Sequence, residues 1–301
     1  MVLLKRLLFL ATSLTIFFSA FIFHACKDEE DTPSGPRTEI WVSDAANFEK
    51  APWQIIRYDE NGENPKVFTN KNVSWPQDIL FLEDQKVVLV TNAITGNIAR
   101  FDIETGDFLG NFATGMGLPN RMKIRDGLLY VLQWTGSEKV RRFELNGTLV
   151  DEFTKTGVYQ AIGMDWDSEG NLYVASFNDG DNGYVRKFDT NGNDLGIFID
   201  KALQGPTNIW FDASGNLMIN DWRGGFIKQF DASGNFVKNV VSGLSQVEGV
   251  AFLENGNILI GNGGSGAIKM YDPDFKFIKD LVKSKAGGLI RPNAVAVRKV
   301  E

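Results

Sequence analysis

Oxygen-bearing side chains at matching points of a recurring segment are the first candidates for chemistry in this chain. Asp78, Asn120, Asn208, Glu248 and Asn293 each follow, by one or two residues, the residue that opens such a segment: Pro76, Pro119, Pro206, Val247 and Pro292. Carboxylate and amide oxygens are hard donors, and Ca²⁺ takes about six to eight of them at about 2.3–2.6 Å. If the five converge, they predict a divalent-cation site, with Ca²⁺ the best match. Gln77, Arg121 and Thr207 share these positions, and Arg121 is a candidate ligand contact. Aromatic side chains make a second set: Trp53, Trp75, Trp134, Phe177 and Trp222, with Tyr159 beside them. Flat amphipathic rings on one face suit a sugar ring, a peptide or a protein partner. Each set also has a purely structural use. Amides can bond strand backbone, and rings can cover packing edges.

Other chemistry is excluded by what the chain lacks. It has one histidine, His24, and one cysteine, Cys26. Both lie in an N-terminal targeting pattern: Lys5 and Arg6, then about 17 uncharged residues from Leu7 to Phe23, then His24-Ala25-Cys26. A run of that length is also the lower limit for a membrane-spanning helix, so an uncleaved anchor is the alternative. The pattern resembles a bacterial lipobox, which implies a signal peptide over residues 1–25 and lipid attachment at Cys26. Lys27-Asp28-Glu29-Glu30-Asp31 resembles the surface-export signal of Bacteroidetes lipoproteins. That implies an outer-membrane, lipid-anchored protein facing the cell surface, with residues 26–37 as an acidic, Pro- and Gly-containing tether. Cleavage removes Lys5, Arg6 and His24, taking the formal charge from −7 to −9. The mature chain then has neither histidine nor free thiol. Ser-His-Asp and Cys-His nucleophiles, His-ligated zinc and disulfides are all excluded. A net acidic chain also argues against a nucleic-acid partner, which needs clustered Lys and Arg.

The elements that must position these residues are legible as repeats. An aromatic followed by an acid recurs at Tyr58-Asp59, Phe101-Asp102, Phe143-Glu144, Phe188-Asp189, Phe230-Asp231 and Tyr271-Asp272, at intervals of 43, 42, 45, 42 and 41 residues. A Gly turn follows most copies, and runs such as Gly170-Asn171-Leu172-Tyr173-Val174 precede them. Each unit holds four short apolar runs separated by turn residues. That is the pattern of four antiparallel strands per propeller blade. The last unit, from Pro292, holds only an inner strand, and the first, from Thr38, lacks one. The reading is therefore all-β: a six-bladed β-propeller over residues 38–301, closed by the C-terminal strand pairing with the N-terminal strands.

The openings such as Pro206-Thr207-Asn208-Ile209, with Gly-Asn-Leu-Tyr-Val and Phe-Asp-x-x-Gly, resemble the NHL-type repeat. They are also similar to the senescence-marker-protein/gluconolactonase and TolB-like propellers and to streptogramin lyases. The gluconolactonase resemblance implies a metal-dependent lactonase or esterase with a Glu in the ligand set. Glu248-Gly249-Val250 is the nearest match, in a late blade and without the family's Pro. By position alone, and not by motif, Asp78 or Asp221 would stand as base. The lyase resemblance would need histidines that the mature chain lacks. The leading expectation is a non-catalytic module that binds a ligand or partner on its aromatic face.

Overall fold

The computed structural model describes residues 35–301. The expected signal peptide, Cys26 and all but the end of the tether lie outside the described residues. Six four-stranded antiparallel sheets follow one another as blades. Blade 2 is β4 (Pro76–Leu82), β5 (Val87–Asn92), β6 (Asn97–Asp102) and β7 (Phe108–Ala113). Blade 3 is β8 (Pro119–Arg125), β9 (Leu128–Gln133), β10 (Arg141–Glu144) and β11 (Leu149–Glu152). Blade 4 is β12 (Ala161–Trp166), β13 (Leu172–Ser176), β14 (Tyr184–Phe188) and β15 (Asp194–Ile199). Blade 5 is β16 (Pro206–Phe211), β17 (Leu217–Asp221), β18 (Phe226–Phe230) and β19 (Phe236–Val241). Blade 6 is β20 (Val247–Phe252), β21 (Ile258–Asn262), β22 (Ala267–Tyr271) and β23 (Phe277–Val282).

Blade 1 is the split one. Its strands are β1 (Arg37–Asp44), β2 (Gln54–Asp59) and β3 (Lys66–Thr69), and its inner strand is β24 (Pro292–Val300). β24 runs antiparallel to β1, with Arg37 opposite Val300 and Val42 opposite Val295. The ring closes as the repeat count predicts, and this pairing removes the open edge that β1 would otherwise present.

The recurring aromatic-acid pairs have a local cause. Each acid stands at the end of a third strand or just past it, and in the five aspartates the carboxylate accepts the backbone N–H groups of the turn that follows. Asp59 Oδ1 accepts from Asn61 N and Glu63 N, both at 2.9 Å, and Asp189 Oδ1 accepts from Asn191 N and Asn193 N, both at 2.8 Å. The preceding aromatic enters the core, and Phe101, Phe188 and Phe230 are essentially inaccessible. Six apolar clusters result, each lying between neighbouring blades. The basic strand residue Arg142 is held by Asp151 through two bonds of 2.9 and 2.7 Å.

Candidate functional site

The face carrying the loops between second and third strands is built the same way in every blade. The second strand ends in a polar residue, which reaches back to the backbone of the loop that enters the blade. Asn92 Oδ1 accepts from Ser74 N at 2.9 Å, Gln133 Oε1 from Gly117 N at 3.1 Å, Asp221 Oδ1 from Gln204 N at 2.8 Å, and Asn262 Oδ1 from Ser245 N at 2.7 Å. Ser176 donates its hydroxyl to Tyr159 O at 2.5 Å. Asp44 accepts from Ile290 N and Arg291 N at 3.0 and 2.8 Å. The entry loop is thereby pinned, and its last residue is turned into the left-handed region in five blades. These are Trp75 (φ 49°), Leu118 (47°), Gln160 (48°), Gly205 (80°) and Gln246 (53°). Four are not glycine, and each such residue costs about 1–2 kcal/mol.

Trp75 and Leu118, held in that strained conformation, form part of the wall of a pocket of about 200 Å³. All six blades contribute to it. Phe48 comes from the β1–β2 loop of blade 1, Trp134, Phe177 and Trp222 from the corresponding loops of blades 3, 4 and 5, and Glu248 from blade 6. The rings meet at steep angles. Phe48 and Trp75 are 5.8 Å apart at 71°, Trp134 and Phe177 5.3 Å at 41°, and Phe177 and Trp222 5.8 Å at 77°. The result is a cup rather than a flat platform, and all five rings remain half-buried.

Four of the five expected aromatic contacts therefore meet in one place. Trp53 does not. Its indole N–H donates to Phe48 O at 2.7 Å, and its ring packs against the core between blades 1 and 2. Phe48 takes its place, and no repeat marks it in the sequence. The Tyr159 hydroxyl lies 3.3 Å from Asp179 Oδ1, outside the pocket lining.

The floor carries Gln77, Asn120 and Glu248. Arg121 reaches the floor from beneath. Its Nη2 stands 3.2 Å from Glu248 Oε2 and its Nη1 donates to Gln77 O. Arg121 also lines a second cavity of about 270 Å³ further along the channel, with Asp78 and Asn208. It thus stands between the two cavities as a buried plug. Burial pushes the Glu248 carboxyl up to about 7, while the Arg121 and Arg291 guanidinium groups pull the other way. Arg291 sits 4.3 Å over the Phe48 ring and donates to Ala46 O at 3.1 Å.

The expected cation ligands are not gathered round one point. Asn120 and Glu248 line the upper pocket, whereas Asp78 and Asn208 line the lower cavity. Asn293 lines neither. Three of them, Asn120, Asn293 and Asp78, already have protein partners. Asn120 donates to Ala161 O at 2.7 Å and accepts from Arg121 N at 2.7 Å, and Asn293 donates to Pro76 O at 3.1 Å. Asp78 accepts from Ile79 N at 3.0 Å and Met122 N at 2.7 Å. With Thr207 donating to Val247 O at 2.8 Å, three residues at the same point of their blades clamp the first residue of the next inner strand. This donor set does not fit a six-to-eight-oxygen ion. Among the described residues no group of three or more His, Cys, Asp or Glu could hold a metal. Asp221 is fully buried against Lys228 Nζ at 2.5 Å, away from the pocket lining.

No family model matches the chain, and no curated protein matches it in sequence. Solved structures do. A crystal structure of a nidogen/laminin complex superposes with a TM-score of 0.69 at 17% identity, covering 87% of this chain and 98% of that one. A protein of unknown function from Bacteroides caccae gives 0.67 at 15% identity, with the same coverage of 87% and 98%. At those identities the likeness establishes the six-bladed fold.

Proposed function

We propose that this protein is a binding module, an NHL-type propeller whose aromatic cup receives one group of a ligand. The observation that carries the reading is the convergence of five half-buried rings on one pocket, one from each of five blades, four from loops between second and third strands and one from an entry loop. Large half-exposed rings over a few polar groups characterise recognition sites. At about 200 Å³ the pocket is smaller than the roughly 300–1,000 Å³ typical for whole drug-sized ligands. It therefore takes a side chain or a single sugar unit from a larger glycan, peptide or protein. The nidogen/laminin likeness is in keeping with a scaffold used for recognition.

We place the module on the outer membrane, lipid-anchored at Cys26 and facing the cell surface. The support is the lipobox-like sequence and the acidic run behind it. The lactonase or esterase alternative draws less support, because its expected metal donors are divided between two cavities and two of them, Asn120 and Asn293, clamp the next blade. The test is a glycan and peptide array probed with the wild type and with Trp134→Ala and Trp222→Ala. Binding lost in both variants, with thermal stability kept, is expected. Variants that unfold while binding per folded molecule stays unchanged would make the rings structural. Cys26→Ala is expected to release the protein from membranes, and firm retention would argue for an uncleaved helix.

A further inference from the structure

The chemistry of the floor narrows the ligand further. Among the described residues Glu248 is the only charged one that lines the cup, and no described lysine or arginine lines it. Arg121 touches Glu248 through Oε2 alone, and among the described residues no protein donor reaches Oε1. Gln77 uses its amide N–H on Trp75 O at 3.4 Å, which leaves its side-chain oxygen free to accept. Asn120 is tied down at both ends of its amide, its N–H on Ala161 O and its oxygen on Arg121 N. The floor therefore presents acceptors, one of them a carboxylate, beneath aromatic walls.

We infer that the cup is a receptor for a protonated alkylamine, from a lysine side chain or a free primary amine. This rests on the binding reading above and names the chemical class for it. An alkylammonium has a methylene stem that packs on rings and a head that donates to carboxylate and amide oxygens. Rings set at steep angles surround such a stem, and their faces attract the cation. An anionic group would instead meet Glu248 with no lining base to balance it. Arg121 lies on the far side of that carboxylate, facing the lower cavity, and Arg291 is occupied over the outer ring of Phe48. A formal charge of −7 adds long-range attraction for a cation.

The test uses the full chain and its tryptophan fluorescence at about pH 8.5, above the pH near 7 at which Glu248 ionises and below that at which an alkylammonium loses its proton. The probes are n-pentylammonium and acetyl-Gly-Lys-Gly-amide, each paired with a neutral counterpart, 1-pentanol and acetyl-Gly-norleucine-Gly-amide. Each cationic probe is expected to bind roughly tenfold tighter than its neutral partner, and Glu248→Gln is expected to erase that preference. Gln77→Met, which keeps the charge, is expected to lose a smaller part of it. If the lysine peptide exceeds the free amine, the source is a side chain; if the two are equal, it is the amine alone. Neutral probes that bind as well as cationic ones, or a preference that survives in Glu248→Gln, overturn the inference while leaving the cup a ligand site. Blank titrations together with blank glycan and peptide arrays remove the binding reading as well.

Discussion

Glu248 is the residue on which the site turns, because it joins the aromatic cup to the channel plug. Its carboxyl titrates near 7 in the fold, against an ordinary value of 4.5. Between those values the folded state holds a proton that the unfolded chain releases. Stability contributed by this group is therefore fully present below about 4.5, falls as pH rises through about 7, and is flat above. Asp78, whose carboxyl burial also pushes up, adds a slope of the same sign. The groups that face Glu248 are Arg121 from β8 and Arg291 from the loop before β24. Urea midpoints measured from pH 4 to 9 are expected to fall more steeply in the wild type than in Glu248→Gln. Identical slopes would mean that folding leaves the ionisation of this carboxyl unchanged. The Arg121–Glu248 contact spans 127 residues of sequence, and only ring closure brings it about. That is why the sequence assigns the two to separate roles.

At the scale of elements, what was legible followed from locality. Asp59 and Asp189 fold their own turns within four residues, so their spacing counts blades directly. The Asn178–Gly183 loop and the Asp189 turn resemble calcium loops only in composition, and Asp189 is spent on its hairpin. The cup was half legible. Trp134, Phe177 and Trp222 occupy equivalent loops, but Phe48 and Trp53 share an irregular loop where Ala46 and Phe48 have φ of 46° and 59°. No repeat predicts which of the two rings turns inward. The inner-strand amides were misleading for a related reason. Asn120 and Asn293 face the neighbouring blade because inner strands approach so closely. Gly163 shows how close: a Cβ there would lie 2.2 Å from Thr207 O and 3.2 Å from Ile209 N. Gly163→Ala must push β12 from β16, and a loss of about 3 kcal/mol is expected from denaturant titration. Asn120→Ala leaves Ala161 O without its buried donor, and should cost about 1–3 kcal/mol. If Asn120→Ala proves neutral, the amide is not a clamp, and a cation role at that position regains ground.

For the whole molecule the decisive joint is β24. It supplies the inner strand of blade 1, and it also spans the seam to blade 2. Arg298, only 5% exposed, pairs with Glu83 at 3.0 Å and Glu104 at 2.8 Å, both in blade 2. Asn293 clamps Pro76 O across the same seam, and Ala294 N donates to Ser43 Oγ at 2.8 Å. At the other side Val295 belongs to the core between blades 6 and 1. Deleting residues 292–301 would therefore strip β1 of its partner, open two blade interfaces at once and leave Glu83 and Glu104 facing each other without their shared cation. Because each blade packs its core against its two neighbours, the damage cannot stay local. The pocket draws a wall or floor residue from all six blades, so the cup must be lost with the ring. The truncated chain is expected to show no cooperative thermal transition and no tryptophan response to any ligand. Arg298→Met, which keeps β24 but removes its cation, is expected to keep the transition and the cup while lowering the midpoint. A truncated chain that still melts cooperatively would show five blades to be a self-sufficient unit, with β24 contributing only the closure of the split blade.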